Sequence, residues 1–176
     1  MKTKKKILIT LIIAAAVIIC MGLIFHYSSQ DGVSSDSISR SFTRKVAAVL
    51  MKDFGDFSLS FQNAVIEQLN MFIRKLAHFS VFFSMGAMIF GILSVWADRP
   101  LRNILITFAA CCTYAALDEF HQIFVSGRTA LVTDVLIDTI GALIGASVCF
   151  VFICAGKHLV GRFRQKDDSA RPSASL

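Results

Sequence analysis

The sequence predicts an all-α fold, a polytopic membrane helix bundle with four transmembrane helices and two amphipathic helices in the first external loop. Three observations carry that expectation. The chain is 55% hydrophobic over 176 residues, with a mean hydropathy of +0.66, well above a soluble domain of this length. It holds sixteen phenylalanines but only two prolines, so long helices meet few breakers. Its apolar residues gather into four runs, each long enough to cross about 30 Å of hydrocarbon at about 1.5 Å per residue.

The first run, 7–25, follows the basic stretch "MKTKKK", the charge layout of a signal peptide. It is longer than a signal-peptide core, and no small-x-small cleavage site closes it. Cys20 lacks the small residues that precede a lipidated cysteine. An uncleaved first transmembrane helix is expected.

The segment after it is polar at first, with "SSQDG" supplying turn and cap chemistry. Over about 38–75, two stripes at helical spacing follow. Ile38, Phe42, Val46 and Val49 oppose Arg40 and Arg44; beyond Gly55, Phe61, Val65, Leu69, Phe72 and Leu76 oppose Asn63, Glu67, Asn70 and Arg74. Two amphipathic helices are expected here, lying on the outer membrane surface or packed on the bundle.

The second run, 79–97, and the third, about 101–117, are joined by "DRPLRN", with Pro100 as the breaker. The fourth covers about 135–155. Residues 1–156 therefore form one transmembrane domain, and 157–176 read as a basic, disordered cytoplasmic tail with little to bury.

Lysine and arginine set the expected orientation. With the N-terminus inside, eleven of the eighteen fall in the termini and the 98–102 turn, and seven fall outside. The positive-inside rule then puts both termini in the cytoplasm. The net charge of +6 sits in clusters flanking the apolar runs, which suits lipid headgroups and excludes a nucleic-acid partner. All five cysteines lie within the spans and read as small apolar packers, not a disulfide set.

Ionisable residues crowd the outer ends of the spans. Tyr114, Asp118, His121 and Gln122 share one face of the third, with Glu119 beside them. Asp134 and Asp138 stack on one face of the fourth, above Gly141 and Gly145, small residues that let another helix approach closely. Arg74 and His78 are one turn apart, with Lys75 between them. A charge costs roughly 2.5–3.5 kcal/mol at a membrane-helix centre, less near an interface. These groups, with Arg128, are therefore expected to face one another in a single outward polar site between three helices, and Asp134 and Arg128 to depend on each other.

Taken together, "SSQDG", "RKLAHF", "DEFHQIFVSGR" and "TDVLIDTIGALIG", in this order across four spans, resemble the VanZ-like membrane proteins. That family is named for a protein associated with reduced teicoplanin susceptibility. The resemblance covers about residues 8–155. Ser29, Gln30, Lys75, His78, Asp118, Glu119, Gln122, Arg128, Asp134 and Gly141 match its pattern. Asp138 departs from it, since Asn is more usual there, and a second carboxylate makes the site more acidic.

No cofactor and no metal is expected: Asp118, Glu119 and His121 are ligand types, but no HExxH or CxxC spacing surrounds them. Ser126 sits in no nucleophile elbow. The binding set is Arg74, Lys75, His78, Asp118, Glu119, Gln122, Arg128, Asp134 and Asp138. Its expected ligand is a lipid-linked or anionic cell-wall component, or another membrane protein, and the bilayer itself is the expected surrounding partner. The alternative is a membrane enzyme acting on a polar lipid headgroup, with Asp118 or Glu119 as base and His78 or His121 carrying the proton. A structural ion network would use the same residues.

Overall fold

The computed structural model describes residues 3–30 and 32–170, with side chains described over 3–30 and 39–162. All its regular structure is helical: α1 (Thr3–Ser28), α2 (Gly32–Leu50), a short 3-10 turn at Phe54–Asp56, α3 (Leu59–Trp96), α4 (Pro100–Gln122) and α5 (Val132–Ala170). Four of these, α1, α3, α4 and the Val132–Arg162 part of α5, are long and apolar enough to cross a membrane.

The second external stripe and the second span prove to be one helix. α3 has 38 residues, about 57 Å of rise. It starts at Ser58, whose hydroxyl accepts from the Phe61 amide at 3.4 Å, and meets no glycine or proline before Gly86. Nothing between 75 and 79 can break it. α5 likewise runs past 157, the expected start of the tail, to Ala170; residues 171–176 lie outside the described residues.

The stripes over 38–76 face the other way from a water-soluble helix pair. Ile38 lies among the residues whose side chains are not described. Phe42, Val49, Phe61, Phe72 and Leu76 are exposed, while Thr43, Ala47, Gln62, Ile66 and Asn70 are buried. α2 packs on the first half of α3 through Ala47, Phe54 and Ile66. Hydrogen bonds complete that contact. Asn70 Oδ1 accepts from Thr43 Oγ1 at 3.1 Å and from Ser39 Oγ, and Gln62 donates to the carbonyls of Gly55 and Phe57. Polar groups need partners and apolar ones do not when the surroundings are hydrocarbon or interface. Thr43, Gln62 and Asn70 therefore turn inward, while Arg44, Asn63 and Glu67 stay exposed and Val65 and Leu69 of the apolar stripe pack on the contact.

The spanning helices meet in a cluster of Ile24, Phe82, Met85, Cys111, Ala115 and Ala142, with every spanning helix contributing. Its tightest seam is between α3 and α5. A Cβ on Gly86 would fall 2.1 Å from the Ala142 carbonyl oxygen, one on Gly145 1.9 Å from that of Phe83, and one on Gly141 2.8 Å from that of Phe79. Backbone touches backbone here, the close approach that small residues permit in membranes. α4 turns one face inward through Asn103, Thr107, Cys111, Ala115, Asp118, Glu119 and Gln122. At its start, buried Asn103 donates to the Ala97 carbonyl at 2.9 Å and closes the turn from α3.

Candidate functional site

At the end of the bundle where α1 ends and α5 begins, helix spacing and a glycine turn bring the ionisable residues together. Gly127, at φ 73°, lets the chain after α4 fold back, which aims Arg128 at α1 and starts α5 at Val132. A cavity of about 260 Å³ opens between α3, α4, α5 and this turn. Arg74, Lys75 and His78 line it from α3, Glu119 and Gln122 from α4, Arg128 from the turn, and Asp134 and Asp138 from α5. Eight of the residues expected to form the site thus meet. Met71, Thr129, Leu131 and Ile137 also line it, apolar or loop positions with no signal in the sequence.

Within the cavity two of the three carboxylates, Asp134 and Glu119, accept from donors of the chain, and the third, Asp138, faces His78 beyond hydrogen-bond distance. Lys75 Nζ lies 2.5 Å from Asp134 Oδ1. His78 Nδ1 lies 3.8 Å from Asp138 Oδ2. Glu119 Oε2 accepts from the Leu131 amide at 2.8 Å, so it caps one of the unpaired N–H groups at the start of α5.

Arg128 lines the cavity and also reaches α1. Its Nη2 donates to the Tyr27 carbonyl at 2.8 Å and its Nε to the Gln30 carbonyl at 3.3 Å, so it closes the C-terminal end of α1. Burial, then Arg74, lowers its pKa from the ordinary arginine value, while Asp118 and Glu119 act in the opposite direction; a guanidinium stays charged regardless. Arg74 lines the cavity and makes no hydrogen bond or ion pair with any described residue.

Asp118 lies behind the cavity wall, 5% exposed. Its Oδ2 accepts from Ser28 Oγ at 2.9 Å and Gln122 Nε2 at 3.0 Å, and this joins α4 to α1. Its Oδ1 is buried without a partner among the described residues. His121 stands on another face, with its ring 4.7 Å from that of Phe25 and its Nε2 3.1 Å from Ser29 Oγ. Asp118, Glu119 and His121 therefore turn to three different partners. Ser28 and Ser29 reach back from the end of α1 to Asp118 and His121, a role that a helix-end cap only hinted at.

A second cleft adjoins the first. It holds about 540 Å³ between α1 and α3, lined by Leu23, Ile24, Tyr27, Ile73, Ala77 and Val81. Arg74, His78 and Arg128 line both spaces.

The pairing pattern can be measured. Lys75→Gln and Asp134→Asn should each destabilise the protein, and the double variant should fall short of the sum by about 0.5–3 kcal/mol. Asp134→Asn with Arg128→Gln should come close to additive. Thermal unfolding in detergent checks both cycles, and strong coupling of Asp134 to Arg128 alone would contradict the geometry.

Four spanning helices closing over a charged cavity at one end define a polytopic helical membrane protein with a polar terminal site. Over residues 13–153 the chain matches the VanZ/LLP1 family model, and it belongs to that family. No curated protein and no solved structure matches it.

Proposed function

We propose that this is an integral protein of a bacterial cell envelope whose polar cavity binds an anionic group of a lipid-linked or cell-wall component on the outer side of the membrane. The observation that carries the reading is Arg74. Asp134 and Glu119 beside it are held by the chain's own donors, while this guanidinium faces the cavity with no partner among the described residues. A guanidinium in such a place suits a phosphate or carboxylate ligand. The teicoplanin association implied by the family resemblance makes glycopeptide susceptibility of the host cell the phenotype to measure. Arg74→Gln should leave the protein folded, since no internal bond is lost, and should abolish the phenotype. A folded variant with the full phenotype would refute the binding role.

The second reading, a membrane enzyme acting on a polar headgroup, is favoured by one observation. His78 and Asp138 form a pair inside the cavity, the arrangement by which a carboxylate orients a proton-carrying imidazole. His78→Ala separates the readings: loss of turnover with ligand binding intact supports catalysis, and parallel loss of both supports binding.

The outward placement rests on the lysine and arginine distribution. Single cysteines placed in 39–70 or 124–130 should react with an impermeant thiol reagent added to intact cells, and cysteines at 98–102 should not. The reverse pattern would move the cavity to the cytoplasmic side.

A further inference from the structure

The two adjoining spaces differ in chemistry in a way that suits one kind of molecule. The 260 Å³ cavity is lined by eight ionisable or amide side chains with Met71, Leu131 and Ile137, and the 540 Å³ cleft by apolar groups of α1 and α3 with His26, Gln30 and, from α2, Ser39. Their shared wall is Arg74, His78 and Arg128. Among the described residues no carboxylate lines the cleft, whereas Glu119, Asp134 and Asp138 line the cavity. The junction is thus the basic part of the site. From it the cleft follows α3 from Ile73 to Val81, about 12 Å of rise toward the membrane-crossing half of that helix.

We propose that the cavity and the cleft are two halves of one site for a membrane lipid with a small, singly phosphorylated head. The phosphate sits at the junction beside Arg74, and the hydrocarbon lies between α1 and α3. This rests on the anion-binding reading above and adds the source of the anion. Three features select that class. The cleft is bounded by two membrane-crossing helices, so a hydrocarbon chain reaches it from the bilayer without crossing water. A guanidinium is matched to phosphate by its planar fork of donors. The cavity, at 260 Å³, is smaller than the roughly 300–1,000 Å³ that enclose a whole drug-sized ligand. Within it there is room for a phosphate with a small substituent, and a sugar-peptide head would have to extend beyond it.

The test uses the full chain in phosphatidylcholine nanodiscs containing increasing phosphatidic acid, with thermal stabilisation as the readout and soluble glycerol 3-phosphate as the free-anion control. Phosphatidic acid should raise the melting temperature of the wild type, and glycerol 3-phosphate should do so at least tenfold more weakly. Arg74→Gln should lose the response. Ala77→Trp, which fills the cleft from an exposed position of α3, should lose the response to phosphatidic acid and keep the weak one to glycerol 3-phosphate. Ile73→Asn, which makes the cleft polar without filling it, gives the same decision if the tryptophan variant does not fold. If Arg74→Gln abolishes the response and both cleft variants retain it, the hydrocarbon half is refuted and the anion-binding reading stands. An equal response to glycerol 3-phosphate would make the ligand a free anion and leave the cleft without a role. A response unchanged in every variant would overturn both readings.

Discussion

Gly145→Ala, the addition of one carbon, should abolish most of the folded protein. The new Cβ would lie 1.9 Å from the Phe83 carbonyl oxygen, a backbone atom of α3 that cannot rotate away, so α3 and α5 must separate. Overpacking costs roughly 1–3 kcal/mol and occasionally more. Because both obstructing elements are whole helices, the upper end applies. Gly86→Ala, facing the Ala142 carbonyl oxygen at 2.1 Å, should behave alike. Gly91 on the same helix is the control, since its Cβ would meet only Cys149 Sγ at 3.7 Å. Gly91→Ala should be neutral or stabilising by up to about 1 kcal/mol, because alanine favours helix. Melting in detergent, read by the loss of monodisperse protein, decides it; equal behaviour of the three variants would refute the seam.

Asp118→Ala should have the next largest effect. It removes the acceptor shared by Ser28 and Gln122, both buried. Each stranded donor costs about 1–3 kcal/mol. Some is recovered because Gln122 Nε2 already lies 3.4 Å from Ser28 Oγ and because the partnerless Oδ1 disappears as well. A net loss of about 2 kcal/mol is therefore expected. Asp118→Asn keeps an acceptor oxygen in place and should be much milder. If alanine proved as mild as asparagine, the hydrogen bonds would not be what joins α4 to α1.

What could be seen in the sequence follows from which physical signals are local. The four spans are local signals, since length and apolar content suffice. So is the gathering of Asp118 with Gln122, or Arg74 with His78, because i and i+4 share a face in any helix. The facing of α2 and early α3 is not local. Phe42 and Phe72 point outward because the side that a stripe faces depends on the solvent around it. Pairing across helices is equally invisible: Asp134 and Lys75 meet over 59 positions of chain, and nothing in either segment prefers Lys75 to Arg128. The same holds for Asp118, whose spacing predicts the site face but not that its carboxylate turns to Ser28 and Gln122 and stays out of the cavity lining.

The polar ties of α1 bear on the order in which the chain assembles. Apart from Ile24 and Ser28, no residue of that helix is buried, and its C-terminal end is held by Asp118, His121 and Arg128, 90 to 101 positions later. Synthesis runs from the N-terminus, so α1 is made and inserted well before these partners exist. Until α4 and the turn after it emerge, Ser28, Ser29 and the carbonyls of Tyr27 and Gln30 must be satisfied by water or headgroups. Closing contacts of such long range is the slow, entropically costly part of folding. A ribosome stalled before residue 118 would therefore leave α1 in the membrane with its C-terminal end still solvated, and locking of the first helix would wait until α4 and the turn after it are in place.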